Sequence, residues 1–296
     1  MMKFSRIKSR WLTCWLVLYL SASFLLPSLS AASSNNYNVY SYDMTTPQFT
    51  PDGRLLQVEY ASSAAELSSP LVALQLSNQT LALVAMRNSN TQNRMVILDD
   101  YCVAMSGVLS DSLALMQVVL KKASEHLRQF QKRLTILQVA KAIANACQQH
   151  AFGGGIRPYG STMLVCGYRS QQDDEATIYQ TDPSGGILPA PRSSSSSSSP
   201  SMVRWVVGGN PTLQRQLRKR IESNLSRQGK KKTSLVDTLA IAAKTLIKET
   251  QKNSKTTNNS NSKKQSTSLE VVILSSTLGC HRLTKDQLDA VVERIG

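Results

Sequence analysis

Two strand–turn–strand patterns followed directly by two long amphipathic helices constrain this chain more than any bulk property does. The runs Leu71–Leu76 and Leu81–Met86 flank Ser77-Asn78-Gln79-Thr80, and Met95–Leu98 and Cys102–Met105 flank Asp99-Asp100-Tyr101. Short apolar or alternating runs bounded by turn residues read as β-hairpins. Ser106 to Asp111 then leads into a helix whose expected buried stripe is Leu113, Met116, Leu120, Ala123 and Leu127, with Ser110 or Asp111 as its expected cap. A second helix presents Ile136, Val139, Ala140, Ile143 and Cys147 on one face. Apolar helix faces after paired strands predict a helical layer over a sheet.

Gly153-Gly154-Gly155 lacks the Gly-Lys-Ser/Thr that a phosphate cradle requires, so it reads as a helix stop. Strands are expected at Thr162–Tyr168 and Ala176–Gln180, the latter ending in the turn sequence Asp182-Pro183-Ser184-Gly185. After a Ser-rich insertion (191–201), strand character returns at Val203–Val207. Gly208-Gly209-Asn210 then leads into a third helix. Ser234 to Asp237 opens a fourth helix that buries Leu239, Ala242, Leu246 and Ile247. A Lys/Asn/Ser-rich insertion (252–268), a last strand at Leu269–Ser275 and a final helix capped by Thr284 and Gln287 complete the pattern. That last helix bears Leu288, Val291, Val292 and Ile295.

Ahead of the hairpins lies Phe49-Thr50-Pro51-Asp52-Gly53-Arg54, followed by Leu55-Leu56-Gln57-Val58-Glu59-Tyr60-Ala61 and preceded by Tyr42-Asp43. Pro51 fixes φ at the first corner of a turn that Asp52-Gly53 completes, so the chain reverses before a helix of about three turns that begins near Arg54. This segment resembles the N-terminal signature of proteasome α-type subunits. Arg157-Pro158-Tyr159-Gly160 and Asp182-Pro183-Ser184-Gly185 resemble the same family, which is matched from Tyr42 to Gly185 by motif and from Val203 onward by element order.

The resemblance implies an α+β chain with the N-terminal-nucleophile hydrolase-like αββα four-layer sandwich, spanning 35–296. It implies a non-catalytic subunit that forms the gate and antechamber of the proteasome core and serves ubiquitin-dependent degradation. Tyr42, Asp43, Pro51 and Tyr60 match the family's gate cluster, although Met44 replaces its frequent arginine. Arg94 and Glu59 match activator-docking positions. The implied partners are other α subunits in a hetero-heptameric ring, β-ring subunits and the C-termini of regulatory ATPases or other activators. No cofactor is implied, and the implied location is cytoplasm and nucleus.

Catalytic relatives expose a threonine whose α-amine serves as base, whereas Leu67-Ser68-Ser69-Pro70 stands at the matching strand start. Where those relatives carry a proton-moving lysine, this chain has Met86-Arg87, and arginine does not release its proton. His126, His150 and His281 lie outside any Ser or Cys triad motif. The alternatives are a paralogue outside the proteasome, acting either as a peptidase that exposes Ser68 or Ser69 by autolysis or as a basic adaptor.

The net charge of +15 resides in two segments. Residues 1–34 carry Lys3, Arg6, Lys8 and Arg10 without an acid, and 212–264 carry fourteen Lys and Arg against Glu222, Asp237 and Glu249. The basic stretch lacks aromatic stacking platforms, so it reads as solvated surface and not as a specific nucleic-acid site. Basic residues 1–10, apolar Trp11–Leu26 and small residues to Ser33 have the layout of a secretory signal peptide, too short for a stable membrane span. Three origins compete for that leader: secretory or complex-plastid targeting of a relocated paralogue, an uncleaved anchor, or a misplaced start on an ordinary subunit. Cys14, Cys102, Cys147, Cys166 and Cys280 show neither a Cys-X-X-Cys pair nor metal-ligand spacing. They read as free thiols, with disulfides admissible behind such a leader.

Overall fold

Both expected hairpins form: β1 (Leu71–Ser77) with β2 (Thr80–Asn88), and β3 (Met95–Leu98) with β4 (Tyr101–Gly107). The computed structural model describes residues 48–77, 79–88, 93–98, 100–153, 157–169, 176–190, 203–228, 235–257 and 267–293. The leader, Tyr42, Asp43, Met44, Ser234, Ile295 and the Ser-rich insertion lie outside the described residues.

Each hairpin belongs to a different five-stranded antiparallel sheet. One runs β10 (Gly279–Arg282), β9 (Thr267–Ser275), β2, β1, β8 (Val203–Val207). The other runs β3, β4, β5 (Ser161–Gly167), β6 (Thr177–Thr181), β7 (Ile187–Pro189). Alternation along the strands sorts side chains between two faces. Leu71 and Ala73 of β1, Leu81 and Leu83 of β2, and Cys102, Ala104, Leu164 and Cys166 of β4 and β5 share the core between the sheets. Val72, Leu74, Ala82 and Val84 face the opposite way, onto α4 (Pro211–Gln228), α5 (Leu235–Thr257) and α6 (Lys285–Glu293). Val103, Met105, Met163 and Val165 face α2 (Leu109–Phe130) and α3 (Ile136–Phe152). Burial on both faces of both sheets gives four layers, α-β-β-α, the α+β sandwich of N-terminal-nucleophile hydrolases.

The apolar faces of α3 and α5 match expectation: Ile136, Val139, Ala140, Ile143 and Cys147 are buried, as are Leu239, Ala242 and Leu246. On α2 the expected stripe is right only in part. Its Met116 is buried and its Leu113 and Ala123 half-buried, but its Leu120 and Leu127 are each 48% exposed, and Leu115 and Val119, outside the stripe, are buried instead; Phe130 is 60% exposed. This helix is apolar on two sides, and its rotation is set at its start. Asp111 and Ser112 are pinned to the entry of β5, Asp111 by Gly160 N–H at 2.8 Å and Ser112 by the hydroxyl of Ser161, the first residue of the strand, at 2.7 Å. Three, four and seven positions after Ser112, Leu115, Met116 and Val119 share that face and meet the sheet. Neither Ser110 nor Asp111 caps the helix; the N-cap is Val108, without a side-chain bond.

Thr135 and Gln138 form a capping box on α3, and Thr284 and Gln287 exchange the corresponding bonds at α6. The sequence pattern gives no sign of β7 and β10, three- and four-residue strands on sheet edges; His281 lies within β10. Helix α5 continues to Thr257 and β9 begins at Thr267, so regular structure takes both ends of the segment read as the second insertion.

Candidate functional site

The Pro51 corner is closed by backbone bonds, with Gly53 N–H donating to Thr50 O at 2.8 Å and Thr50 N–H to Arg54 O at 2.9 Å. The Thr50 hydroxyl also accepts from Arg54 N–H at 3.0 Å. Gly53 sits at φ 77°, a left-handed conformation that glycine adopts without steric cost. Helix α1 (Leu56–Glu66) follows, two residues later than expected. The Arg54 guanidinium forks onto the Glu59 carboxylate, Nε to Oε1 at 2.9 Å. The bond and charge of Arg54 hold Glu59 below the ordinary carboxylate range, and Glu59 in turn raises Arg54. The expected docking acid is thus ionised and already engaged within its own turn.

Helix α1 buries Leu56, Ala61 and Ala65. The helix rests on β4 and β5 through small residues. A Cβ on Gly107 would lie 3.2 Å from Ala65 Cα, and one on Gly160 would lie 3.3 Å from Ala64 Cβ. With backbone so close to backbone, larger side chains stay outside: Phe49 is 55% exposed and Tyr60 50%. Of the expected gate cluster, Pro51 and Tyr60 are therefore both exposed on this turn-and-helix unit, while Tyr42 and Asp43 fall outside the described residues.

Beneath α1, Arg157 places two nitrogens on the two Asp111 oxygens at 2.7 Å each, and Gly160 N–H adds a third bond to the same carboxylate. The Asp111 side chain is 6% exposed, that of Arg157 65%. Arg157 foremost, and Gly160 N–H after burial's opposing effect, hold Asp111 below its usual range. This clamp, invisible as local sequence because its partners are 46 residues apart, fixes the start of α2 against the Arg-Pro-Tyr-Gly loop on which α1 sits.

Arg94 departs from what a docking role requires. Its Nε donates to Met105 O at 3.2 Å and Nη1 to Met86 O at 3.1 Å, while its backbone N–H donates to Glu270 at 2.8 Å. Burial lowers its pKa to about 10 against the raising effect of Glu270. In this conformation the guanidinium bridges β2 and β4, one strand of each sheet, and faces inward. The opening beside it is lined by Arg87, Asn93 and Arg282.

Ser68, the candidate nucleophile of the rival reading, lies between α1 and β1. Its hydroxyl meets Ser106 Oγ at 2.6 Å and donates to Ala65 O at 3.0 Å, and its carbonyl accepts from Gly209 N–H at 2.8 Å. His126 and His150 aim Nδ1 at the carbonyls of Lys132 and Arg157. Arg218 bonds Glu222 and Val203 O, and Arg220 bonds buried Glu249, so part of the basic stretch is spent on packing α4. Among the described residues no cluster of His, Cys, Asp and Glu is placed to hold a metal ion, and no helix is long and apolar enough to cross a membrane.

The profile of the family described as "Proteasome subunit" matches residues 72–203, and a second profile, describing the N-terminal signature of the family's A-class subunits, matches 42–64. The proteasome alpha subunit of Archaeoglobus fulgidus is 29% identical over 154 residues, 50% of this chain and 61% of that protein. The alpha type-7 proteasome subunit of Cicer arietinum is 23% identical over 261 residues, 86% and 92% of the two chains. The alpha type-7-1B proteasome subunit of Drosophila melanogaster is 34% identical over 151 residues, 49% and 59%. The archaeal and fly matches thus span about three fifths of those relatives' lengths, the chickpea match nearly all. With the signature folded as a proline corner and helix on a four-layer sandwich, this chain belongs to the proteasome α-type subunit family.

Proposed function

We propose that this chain is a non-catalytic ring subunit of a proteasome core, and that the Pro51 corner and α1 form its share of a gate. The observation that carries the reading is the seating of α1. Its small inward residues hold it close to β4 and β5, while Phe49, Pro51 and Tyr60 are left for a neighbouring subunit to cover. Tyr60 would join Tyr42 and Asp43 in a cluster of phenols and a carboxylate that stabilises one position of the corner. An activator then shifts the gate by the difference in its affinity for the two positions. The outer face of α2, with Leu120, Leu127 and Phe130 exposed, fits an adjoining ring.

Docking of an activator's acidic terminus at Arg94 requires its guanidinium to leave the Met86 and Met105 carbonyls; Arg87 and Arg282 are the cations at the opening. The bonds that tie Ser68 to Ala65, Ser106 and Gly209 where α1 meets β1 support a retained N-terminal block over a propeptide, and hence a subunit without its own peptidase site. Ubiquitin-dependent substrates, regulatory ATPases and a cytoplasmic and nuclear location follow from the same reading. Native purification of the tagged full chain tests it: co-elution with other α and β subunits is the expected result, and sedimentation as a lone species overturns it. Cell fractionation tests the location separately.

A further inference from the structure

We infer that Cys102 and Cys166 are a disulfide-forming pair that closes when the chain folds under oxidising conditions and stays reduced when it folds under reducing ones. The two residues are directly opposite each other in the β4–β5 ladder. Both side chains lie in the core between the sheets, so they project from the same face. Val108 N–H donates to Gly160 O, the next position in the same register, which marks that pair as hydrogen-bonded. Counting by twos along β4 makes Cys102 and Cys166 a hydrogen-bonded pair as well, with Cα atoms about 5.5 Å apart. That separation falls inside the window of about 4.4–6.8 Å that disulfides occupy. The Cβ atoms of a hydrogen-bonded pair stand near the wide end of about 4.5–5.5 Å, beyond the roughly 3.5–4.5 Å of a disulfide, so closure requires the two strands to draw together and the bond formed is strained and more easily reduced.

All four described cysteines are free thiols, and Cys102 and Cys166 are both fully buried. Burial raises both thiols well above their ordinary range, with smaller contributions from neighbouring groups. The thiolate is the attacking species, so the folded, reduced core resists oxidation. The opportunity to close is therefore during folding, while the strands are still wet. Cys280 on β10 packs against the same core from the other sheet and is partly exposed; its thiol, raised to about 12 mainly by burial, is the competing partner. Cys147 belongs to the separate core beneath α2 and α3.

The reaction needs an external disulfide, for which oxidised glutathione serves. One cysteine thiolate attacks a glutathione sulfur and expels a glutathione thiolate. The second cysteine thiolate then attacks the mixed disulfide and expels the other. Two protein thiols and one oxidised glutathione become one protein disulfide and two reduced glutathiones.

The full chain is refolded from denaturant in oxidised or in reduced glutathione, alkylated and digested, and the cross-linked peptides are mapped by mass spectrometry. The expected result is a Cys102–Cys166 link after oxidative refolding that persists in C280S and vanishes in C166A, with free thiols after reductive refolding. The natively folded reduced protein is expected to keep both thiols during the same exposure to oxidised glutathione. Free thiols after oxidative refolding, or a link that runs through Cys280, overturns the pairing. Rapid closure in the already folded protein overturns the restriction to folding. Neither outcome bears on ring assembly. The redox state of the pair in protein isolated from cells then reports the compartment in which the chain folded, a question that the signal-like leader raises.

Discussion

Replacing Asp111 isolates the clamp beneath α1. In D111A the buried Gly160 N–H loses its acceptor, which costs about 1–3 kcal/mol. The two bonds from Arg157 add about 1 kcal/mol, because that guanidinium is largely exposed and recovers water when its partner goes. The sum, about 2–4 kcal/mol, corresponds to a melting temperature lower by roughly 5–15 °C for a domain of this size. R157A removes only the exposed partner and is expected to cost about 1 kcal/mol. D111N keeps an oxygen for Gly160 and should fall between. Urea unfolding followed by circular dichroism and by tryptophan fluorescence gives the three values. The folded-state pKa of Asp111 is depressed, so its contribution is full above the ordinary carboxylate range near ~4 and is lost as pH falls through the depressed value; D111N flattens that slope. A D111A cost below about 0.5 kcal/mol, or one no larger than that of R157A, would refute the assignment of a buried carboxylate as the anchor of α2.

Four further outcomes are expected. Gly53 has a left-handed φ but open space around it, so G53A costs about 1 kcal/mol. Gly107 has both a positive φ and a Cβ position 2.3 Å from Gly160 O, so G107A costs several-fold more in the same urea assay and displaces α1, read as faster proteolysis at Arg54. L115A, at the buried face of α2, is expected to cost about 2–5 kcal/mol. L120Q combined with L127Q leaves stability within about 1 kcal/mol yet reduces co-purification with ring partners; equal loss of stability in both variants contradicts the observed rotation of the helix.

Much of the sandwich is legible because hairpin turns and helix periodicity are local signals. Ser77 to Thr80 and the Ile136–Cys147 face are read correctly on those grounds. The failure on α2 has a definite cause. Leu113, Leu120 and Leu127 repeat as regularly as Leu115, Met116 and Val119, and what selects between the faces is a set of bonds to residues nearly fifty positions away. β7 and β10 are too short to show a period, and one contains Pro189 and the other His281 and Arg282, residues that weaken a strand signal. At the candidate site, the corner is visible because proline and glycine state their backbone geometry outright. The fate of Arg94 is not, since a charged residue ahead of a strand reads as surface until the carbonyls that accept its bonds are placed.

A helix that is greasy on its solvent side as well as its inner side ties this protein's fate to its company. Synthesised in excess, an orphan copy would display Leu120, Leu127 and Phe130 to chaperones and to its own kind. Its cellular abundance should therefore follow the supply of whatever covers that strip, falling when the cover is depleted even though the fold itself is untouched.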